Sequence, residues 1–326
     1  MHKHLSIAGM FVGAVLAMVI TPVVAQQPYP SKMIRIIVPL VPGGSTDNIA
    51  RLLGEKLKES LGQPVIVENR PGGNSILGSE LVARAAPDGY TLLVNSGTHV
   101  ILPFVEPKLP FDPIKDFAPV ATLSRTRYVM LVHPSVPAKT VKEFIAFAKP
   151  RPGQINFASS GTASGSRIAG EVFNMLAAVR MQNIPYKGGA QAVSDLIGGH
   201  VHVSFNSPNL SAPYINAGRL RPLAITGENR LDLLPQVPTF REAGLPAYNE
   251  IGWQGMFAPT AAPKAIVDRL NTEIAKMQNA PDFKVMYQKR GLETFVSTPE
   301  QFAAILKAES AKLAKLVKTA NLKFTE

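Results

Sequence analysis

Two stretches of this chain combine glycine with small hydroxyl residues in a spacing suited to holding an anion. The first is Pro42, Gly43, Gly44, Ser45, Thr46 and Asp47, at the end of an apolar run that starts at Ile34. The second is Ser159, Ser160, Gly161, Thr162, Ala163 and Ser164, preceded by Ile155 to Ala158. Each reads as a strand, a tight turn and the start of a helix. The first amides of a helix have no internal partner, and the helix dipole is positive there. Glycine lets another molecule approach the backbone closely. Serine and threonine can cap the helix or bond a ligand oxygen. The chemistry implied is capture of a carboxylate or phosphate. A third polar stretch, Asn95, Ser96, Gly97 and Thr98, ends another apolar run.

Other residues carry competing readings. Asp47 is a helix cap first and an organiser of the site second. Arg167 falls in the first turn of its helix, where a cation opposes the dipole. It either contacts a ligand or is a solvated arginine paired with a nearby carboxylate. Arg125 and Arg127 lie two apart, on one side of an extended segment. They could receive the second carboxylate of a diacid, although solvent exposure is the commoner outcome. His200 and His202 form an HxH pair, but no third ligand is placed beside them, so no metal is expected. No GxSxG, phosphate-loop lysine motif or GxGxxG occurs, so neither a hydrolase nucleophile nor a cofactor is indicated.

The elements that must position these groups alternate between strand and helix. A strand over 33–40 precedes a helix with Ile49, Leu52, Leu53, Leu57 and Leu61 on one face. Strand 65–67, a helix through Leu77 and Leu81, and strand 90–94 follow. The proline-rich residues 103–119 read as a surface loop. After one or two strands (120–123 and 128–132) comes a second series: helix 140–148, strand 155–159, helix 164–178, strand 183–186, helix 190–197, and strands 201–205 and 221–225. Residues 235–246 read as a link with a short helix, and 251–257 as a strand. Helices are expected over 263–278, 281–290 and 299–319, the last docking on the first domain through Phe302, Ile305, Leu306, Leu313 and Leu316. The pattern predicts mainly parallel, doubly wound α/β architecture.

Composition narrows the class. Lys3, the apolar run Leu5 to Ile20 and Val23-Val24-Ala25 read as an export signal cleaved after Ala25. There are no cysteines, hence no disulfides and no lipid-attachment site. The formal net charge is +11, without a lysine/arginine run. In an exported protein that balance favours small acidic ligands over nucleic acid.

An ordered set of longer pieces is more specific than either turn. It comprises YPSKMIRIIVPLVPGGSTDNIAR (29–51), VIVENRPGGNSILGSELVARAAPDGYTLL (65–93), the serine-glycine turn and AGE (159–171), IPYKGGAQAVSDLIGGHV (184–201) and WQGMFAP (253–259). Together they are distributed from residue 29 to residue 259. In these pieces the chain resembles the periplasmic solute-binding proteins of the tripartite tricarboxylate transporter family, the Bug-type receptors. The resemblance implies a type II periplasmic-binding-protein fold: two doubly wound α/β lobes joined by crossover strands, with a cleft between. It implies a carboxylate held by backbone amides, hydroxyls and water, and delivery to a two-subunit integral membrane permease. On this sequence the lobes would be 26–125 with 249–326, and 126–248. The carboxylate turns would be Pro42 to Asp47 and Ser159 to Ser164, with Asn95 to Thr98 lining the far side.

The chain departs from the family pattern in four places. Ala163 stands at the turn's second glycine, Arg167 replaces a frequent histidine, and Asn206 and His202 replace acidic residues. An asparagine at 206 would disfavour ligands with an ammonium group and favour plain acids. Phe205, Pro208 and Trp253 are candidates for an apolar cleft wall. The expectation is a monomeric receptor for a small organic acid, without catalytic residues. A ligand sensor feeding a membrane signalling partner stands beside it, and an exported hydrolase behind both.

Overall fold

The computed structural model describes residues 29–320 together with 322 and 324. The expected export signal lies outside these residues. In chain order the elements are β1 (Ile34–Val38), α1 (Ser45–Leu61), β2 (Val65–Asn69), α2 (Ile76–Ala83), β3 (Thr91–Ser96), α3 (Thr98–Val105), β4 (Phe117–Arg127), β5 (Val129–Val132) and α4 (Val141–Ala148). Then follow β6 (Asn156–Ser159), α5 (Gly165–Ala177), β7 (Gln182–Pro185), α6 (Gly189–Ile197), β8 (Val203–Asn206), α7 (Pro208–Asn216) and β9 (Arg221–Ile225). The chain ends with β10 (Ile251–Pro259), α8 (Lys264–Asn279), α9 (Pro281–Lys289), β11 (Glu293–Thr294) and α10 (Pro299–Thr319).

The strands form two sheets, ordered β11-β4-β10-β3-β1-β2 and β7-β6-β8-β5-β9. Each is parallel on one side only. β1 runs parallel to β2 and β3, and β6 parallel to β7 and β8. The remaining pairings are antiparallel. This corrects the expectation of mainly parallel sheets: β10 in the first sheet and β5 in the second run against the parallel set, so β4 and β9 beyond them pair antiparallel while keeping its direction.

Burial follows the pattern of side chains. Ile34, Ile36 and Val38 of β1 pack with Ile49, Leu52, Leu53 and Leu57 of α1, while Ile37 faces the opposite layer with Val82 of α2. β1 is therefore covered on both faces, as a central parallel strand must be. α1 ends at Gly62, whose φ of 69° gives the left-handed C-cap. α10 docks through Phe302, edge-on to Trp253 and 5.0 Å from Phe257, centroid to centroid. Beyond α10 the chain returns to the second sheet's side, where Phe324 lies under the Arg167 guanidinium.

Several local expectations are revised. Helix α3 takes in Thr98 and the first three residues of the expected 103–119 loop; Pro103 falls near the end of the helix, where it displaces few bonds. Residues 235–246 contain turns but no helix. Helix α7 is not among the expected elements; Pro208 occupies its start, where the missing amide costs nothing.

Candidate functional site

The first turn is held open by a carboxylate that does not itself face the ligand side. Asp47 is 2% exposed. The Gly43 amide donates to its Oδ2 (2.9 Å), as does Arg51 Nε (3.1 Å), and Asn69 Nδ2 donates to Oδ1 (2.9 Å). Asn69 Nδ2 also reaches the Leu40 carbonyl, so β2 braces both arms of the turn. Burial pushes the Asp47 carboxyl up, but the Gly43 amide, Arg51 and Asn69 together outweigh it and hold its pKa below the ordinary value. Gly43 adopts φ 81°, a conformation that favours glycine.

With Asp47 so engaged, the start of α1 is left without a side-chain cap. Its N-cap is Gly44, which makes no capping bond. Ser45 Oγ is buried and has no hydrogen-bond partner. Pro42 and Gly43 are exposed, Ser45 is half-buried, and Thr46 is buried at the helix start. This is a concentrated set of donors at the positive end of a 17-residue helix.

The second turn is built differently. Ser164 caps α5 by accepting from the Arg167 amide (3.2 Å), and its own hydroxyl donates to the Gly161 carbonyl (2.7 Å). Ser166 Oγ accepts from the Ser160 amide (2.9 Å) and lies 2.9 Å from Ser160 Oγ and 3.1 Å from Ser164 Oγ. Ser159 Oγ donates to the Gly161 carbonyl (3.2 Å). The hydroxyls thus bond one another and the turn. Ser160, Gly161 and Thr162 remain half-buried, whereas Ala163 is buried in the core beneath them.

Arg167 is buried rather than solvated. Its NH1 donates to the Thr162 carbonyl (3.3 Å), its guanidinium lies 4.6 Å from the Phe324 ring centroid, and Glu171 stands 3.9 Å away. Burial lowers its pKa and raises that of Glu171. Arg167 ties the second turn to the end of the chain.

The fold brings the two turns into one row through a third. A Cβ on Gly161 would stand 3.6 Å from the Tyr186 carbonyl, and one on Gly188 would stand 3.1 Å from Val41 Cγ2. The β7–α6 turn, Tyr186 to Gly188, therefore bridges the β6–α5 turn of one sheet and the β1–α1 turn of the other. The sequence offered a sign of this in Lys187-Gly188-Gly189, where α6 opens with Gly188 as an uncapped N-cap. A second contact between the two sheets' elements joins Gly291 to Pro208 and Asn209.

The remaining candidates are placed as follows. Asn95 and Ser96 end β3, and Thr98 begins α3, so the expected polar loop is one residue long. Ser96 Oγ donates to Thr98 Oγ1 (3.0 Å). Asn206 donates to the Gly189 carbonyl (3.0 Å) and accepts from the Ser207 amide (2.9 Å), which fastens the β7–α6 turn from behind. Arg127 bonds Glu293 and the Asn229 carbonyl, and Arg125 lies over Phe295 at 4.2 Å. Both arginines thus brace the strands that connect the sheets. Phe205 and Trp253 are core residues rather than cleft walls, packed on Phe173 and Phe302 respectively; only Pro208 faces across, toward Gly291. His202 Nδ1 accepts from the Asn156 amide (3.0 Å). Among the described residues no cluster of three or more His, Cys, Asp or Glu could hold a metal ion.

Three features gave no sequence signal. Tyr128, at the crossing from β4 to β5, is wedged between Gly165 and Gly252, where added Cβ atoms would run into its hydroxyl. His99 is fully buried, with Nε2 2.8 Å from the Pro113 carbonyl, and burial lowers its pKa to about 4. Ser75, Ser79 and Asn95 each bury a polar atom without a partner. Such a group costs about 1–3 kcal/mol.

Residues 49–322 match the model of the TctC family, the tripartite tricarboxylate transporter family receptor. A UPF0065 protein from the tcbD-tcbE intergenic region of Pseudomonas sp. strain P51 is 37% identical, across 94% of this chain and 92% of its own. BugT of Bordetella pertussis is 32% identical over 99% of both. Among solved structures, R. palustris Rpa4515 with adipate superposes with a TM-score of 0.85 at 32% identity, covering 90% of this chain and 98% of that one. MatC (Rpa3494) of Rhodopseudomonas palustris with bound malate gives 0.81 at 31%, covering 89% and 100%. The architecture is accordingly the two-lobed type II periplasmic-binding-protein fold. Matched over most of its length by the family model and nearly end to end by relatives, the chain belongs to the tripartite tricarboxylate transporter receptors, the Bug-type solute-binding proteins.

Proposed function

We propose that this protein captures a small organic acid between two lobes, residues 26–125 with 249–326 and residues 126–248, and delivers it to a two-subunit integral membrane permease. It works outside the cytoplasmic membrane after cleavage behind Ala25, as a monomer, and carries out no catalysis. One carboxylate is held by the amides of the first turn of α1 (Ser45, Thr46) and by the hydroxyls of Ser45, Ser160 and Thr162. Asn95, Ser96 and Thr98 line the far side. The supporting observation is the uncapped start of α1 in the row of turns that joins the two sheets. Relatives carrying adipate and malate support an acid as ligand. Bridging both lobes gives the closed state contacts that an open state lacks, so ligand shifts the population toward closure.

A thermal-shift screen tests this reading after bound ligand is removed by mild unfolding. Aliphatic diacids, tricarboxylates, aromatic acids, amino acids and neutral amides form the panel. A ligand specific for the folded state raises Tm by mass action. The expected result is a shift confined to one class of acids. A shift with neutral amides and none with acids would contradict it.

A further inference from the structure

We propose that Phe324 and Arg167 form a strap through which the end of the chain holds the second anion turn in its binding shape, making Phe324 a positioning residue for the captured acid. The proposal rests on the carboxylate-receptor reading and adds a residue that the reading does not use.

The strap starts from a cation that is costly where it stands. Arg167 is the third residue of α5, and its own amide takes the Ser164 cap. A positive charge in the first turn of a helix opposes the dipole. Arg167 is also only 8% exposed, and burial lowers its pKa. A buried charge persists where its surroundings offset the lost water. Its neighbours include the Thr162 carbonyl, which accepts from NH1 (3.3 Å), the Glu171 carboxylate, 3.9 Å from Nε, and the Phe324 ring, whose centroid lies 4.6 Å from the guanidinium carbon. Thr162 belongs to the second turn and Glu171 to α5 itself. Phe324 comes from the far end of the chain.

The ring reaches Arg167 from the first sheet. Helix α10 docks there through Phe302, against Trp253 and Phe257. Beyond α10, Leu322 and Phe324 pack into the core, and Phe324 is 7% exposed. Among the described residues this is a third passage between the two sheets, beside those from β4 to β5 and from β9 to β10. An aromatic face attracts a cation without taking its hydrogen-bond donors. The ring thus holds the guanidinium while NH1 stays on the Thr162 carbonyl. In a planar trans peptide the carbonyl and the next amide point opposite ways, so this bond also fixes the direction of the Ala163 amide. Thr162 and Ala163 follow Gly161, whose φ of 150° is open to glycine and to few other residues. A turn with so permissive a residue gains its shape from an outside hold.

The test compares wild type with Phe324→Leu, Phe324→Tyr and, as a control for packing, Leu316→Ala in α10. Leucine keeps an apolar contact and loses the ring face; tyrosine keeps both. Adipate and malate serve as probes in calorimetric titration, and Tm is measured for every variant. The Thr162 carbonyl carbon is followed by NMR in the ligand-free protein, since hydrogen bonding moves a carbonyl signal downfield. Phe324→Leu is expected to weaken binding about tenfold, a loss within the range of a desolvated cation–π contact, and to move the Thr162 signal upfield. Phe324→Tyr should keep the wild-type affinity and signal. Leu316→Ala, which opens a cavity, should lower Tm more than Phe324→Leu does and leave affinity within about twofold. Full affinity or an unmoved Thr162 signal in Phe324→Leu overturns the strap. So does an equal loss of affinity in Leu316→Ala, which would mean general loosening. If wild type binds neither acid, the carboxylate reading fails for these probes, and the Thr162 signal alone decides the strap.

Discussion

The two anion turns look alike in sequence and differ in how they spend their donors. At Gly44 the first turn has no side chain to cap α1, and Ser45 Oγ has no partner. At Ser164 the second turn caps α5 with its own hydroxyl, and Ser160, Ser164 and Ser166 bond within the turn. Donors already satisfied gain little from a ligand, whereas open ones gain a charge-assisted bond. In the proposed site the first turn would therefore be the principal anion cradle, and the second the wall against which it closes.

The largest expected effect is at Asp47. Asp47→Ala removes the acceptor for Gly43, Arg51 and Asn69 at once. Stability should fall by about 3 kcal/mol, and acid binding should disappear. Denaturant unfolding and calorimetry would show both. Stability near that of wild type would mean that the first turn needs no organiser.

Acid should dissect the molecule in two steps. His99 is buried neutral with its pKa lowered to about 4 from 6.5, so the unfolded chain takes up its proton first. Stability is then lost as pH falls from 6.5 toward 4, by up to about 3 kcal/mol. The folded pKa of Asp47 lies below 3.8, so its contribution is present above that value and is lost as pH falls through the folded pKa. A flat stability profile between pH 6.5 and 4 would contradict the burial of His99.

Gly44 offers the sharpest separation of binding from folding. It sits at φ −76°, ψ 170°, open to any residue, and a Cβ there meets only the Val41 carbonyl, at 3.7 Å. Gly44→Val should leave Tm within a few degrees and weaken binding about 100-fold, or ~2.7 kcal/mol, by covering the first amides. Gly44→Ser would give the first turn the design of the second, with its own cap competing with the ligand. The counterpart change, Ser164→Ala, should cost about 1 kcal/mol of stability and alter affinity by less than about threefold. Equal binding losses at Gly44 and Ser164 would erase the distinction between the turns.

Much of this was legible in the sequence. The strand–turn–helix units at Ile34 to Leu61 and Asn156 to Ala177 follow from β-branched runs, glycines and helical spacing. What sequence could not give was the destination of each polar group. Ser45 and Ser164 are the same residue type at the same kind of turn, yet one hydroxyl is open and the other closes a cap. Asn206 gave no hint in the sequence of its hydrogen bond to the Gly189 carbonyl. Arg167 lies against Phe324, 157 positions later in the sequence, because the chain doubles back. Gly188 meets Val41 across the sheets for the same reason. Such contacts depend on long-range packing, which no local pattern encodes.

The most direct measurement is an amide NMR titration of the labelled protein with the acid selected by the thermal-shift screen. A carboxylate seated on the open helix start should move the Ser45 and Thr46 amides downfield more than any others, while the Ser160 amide, already bonded to Ser166, moves little. Large shifts at Ser160 with none at Ser45 and Thr46 would contradict the assignment of the first turn as the anion cradle.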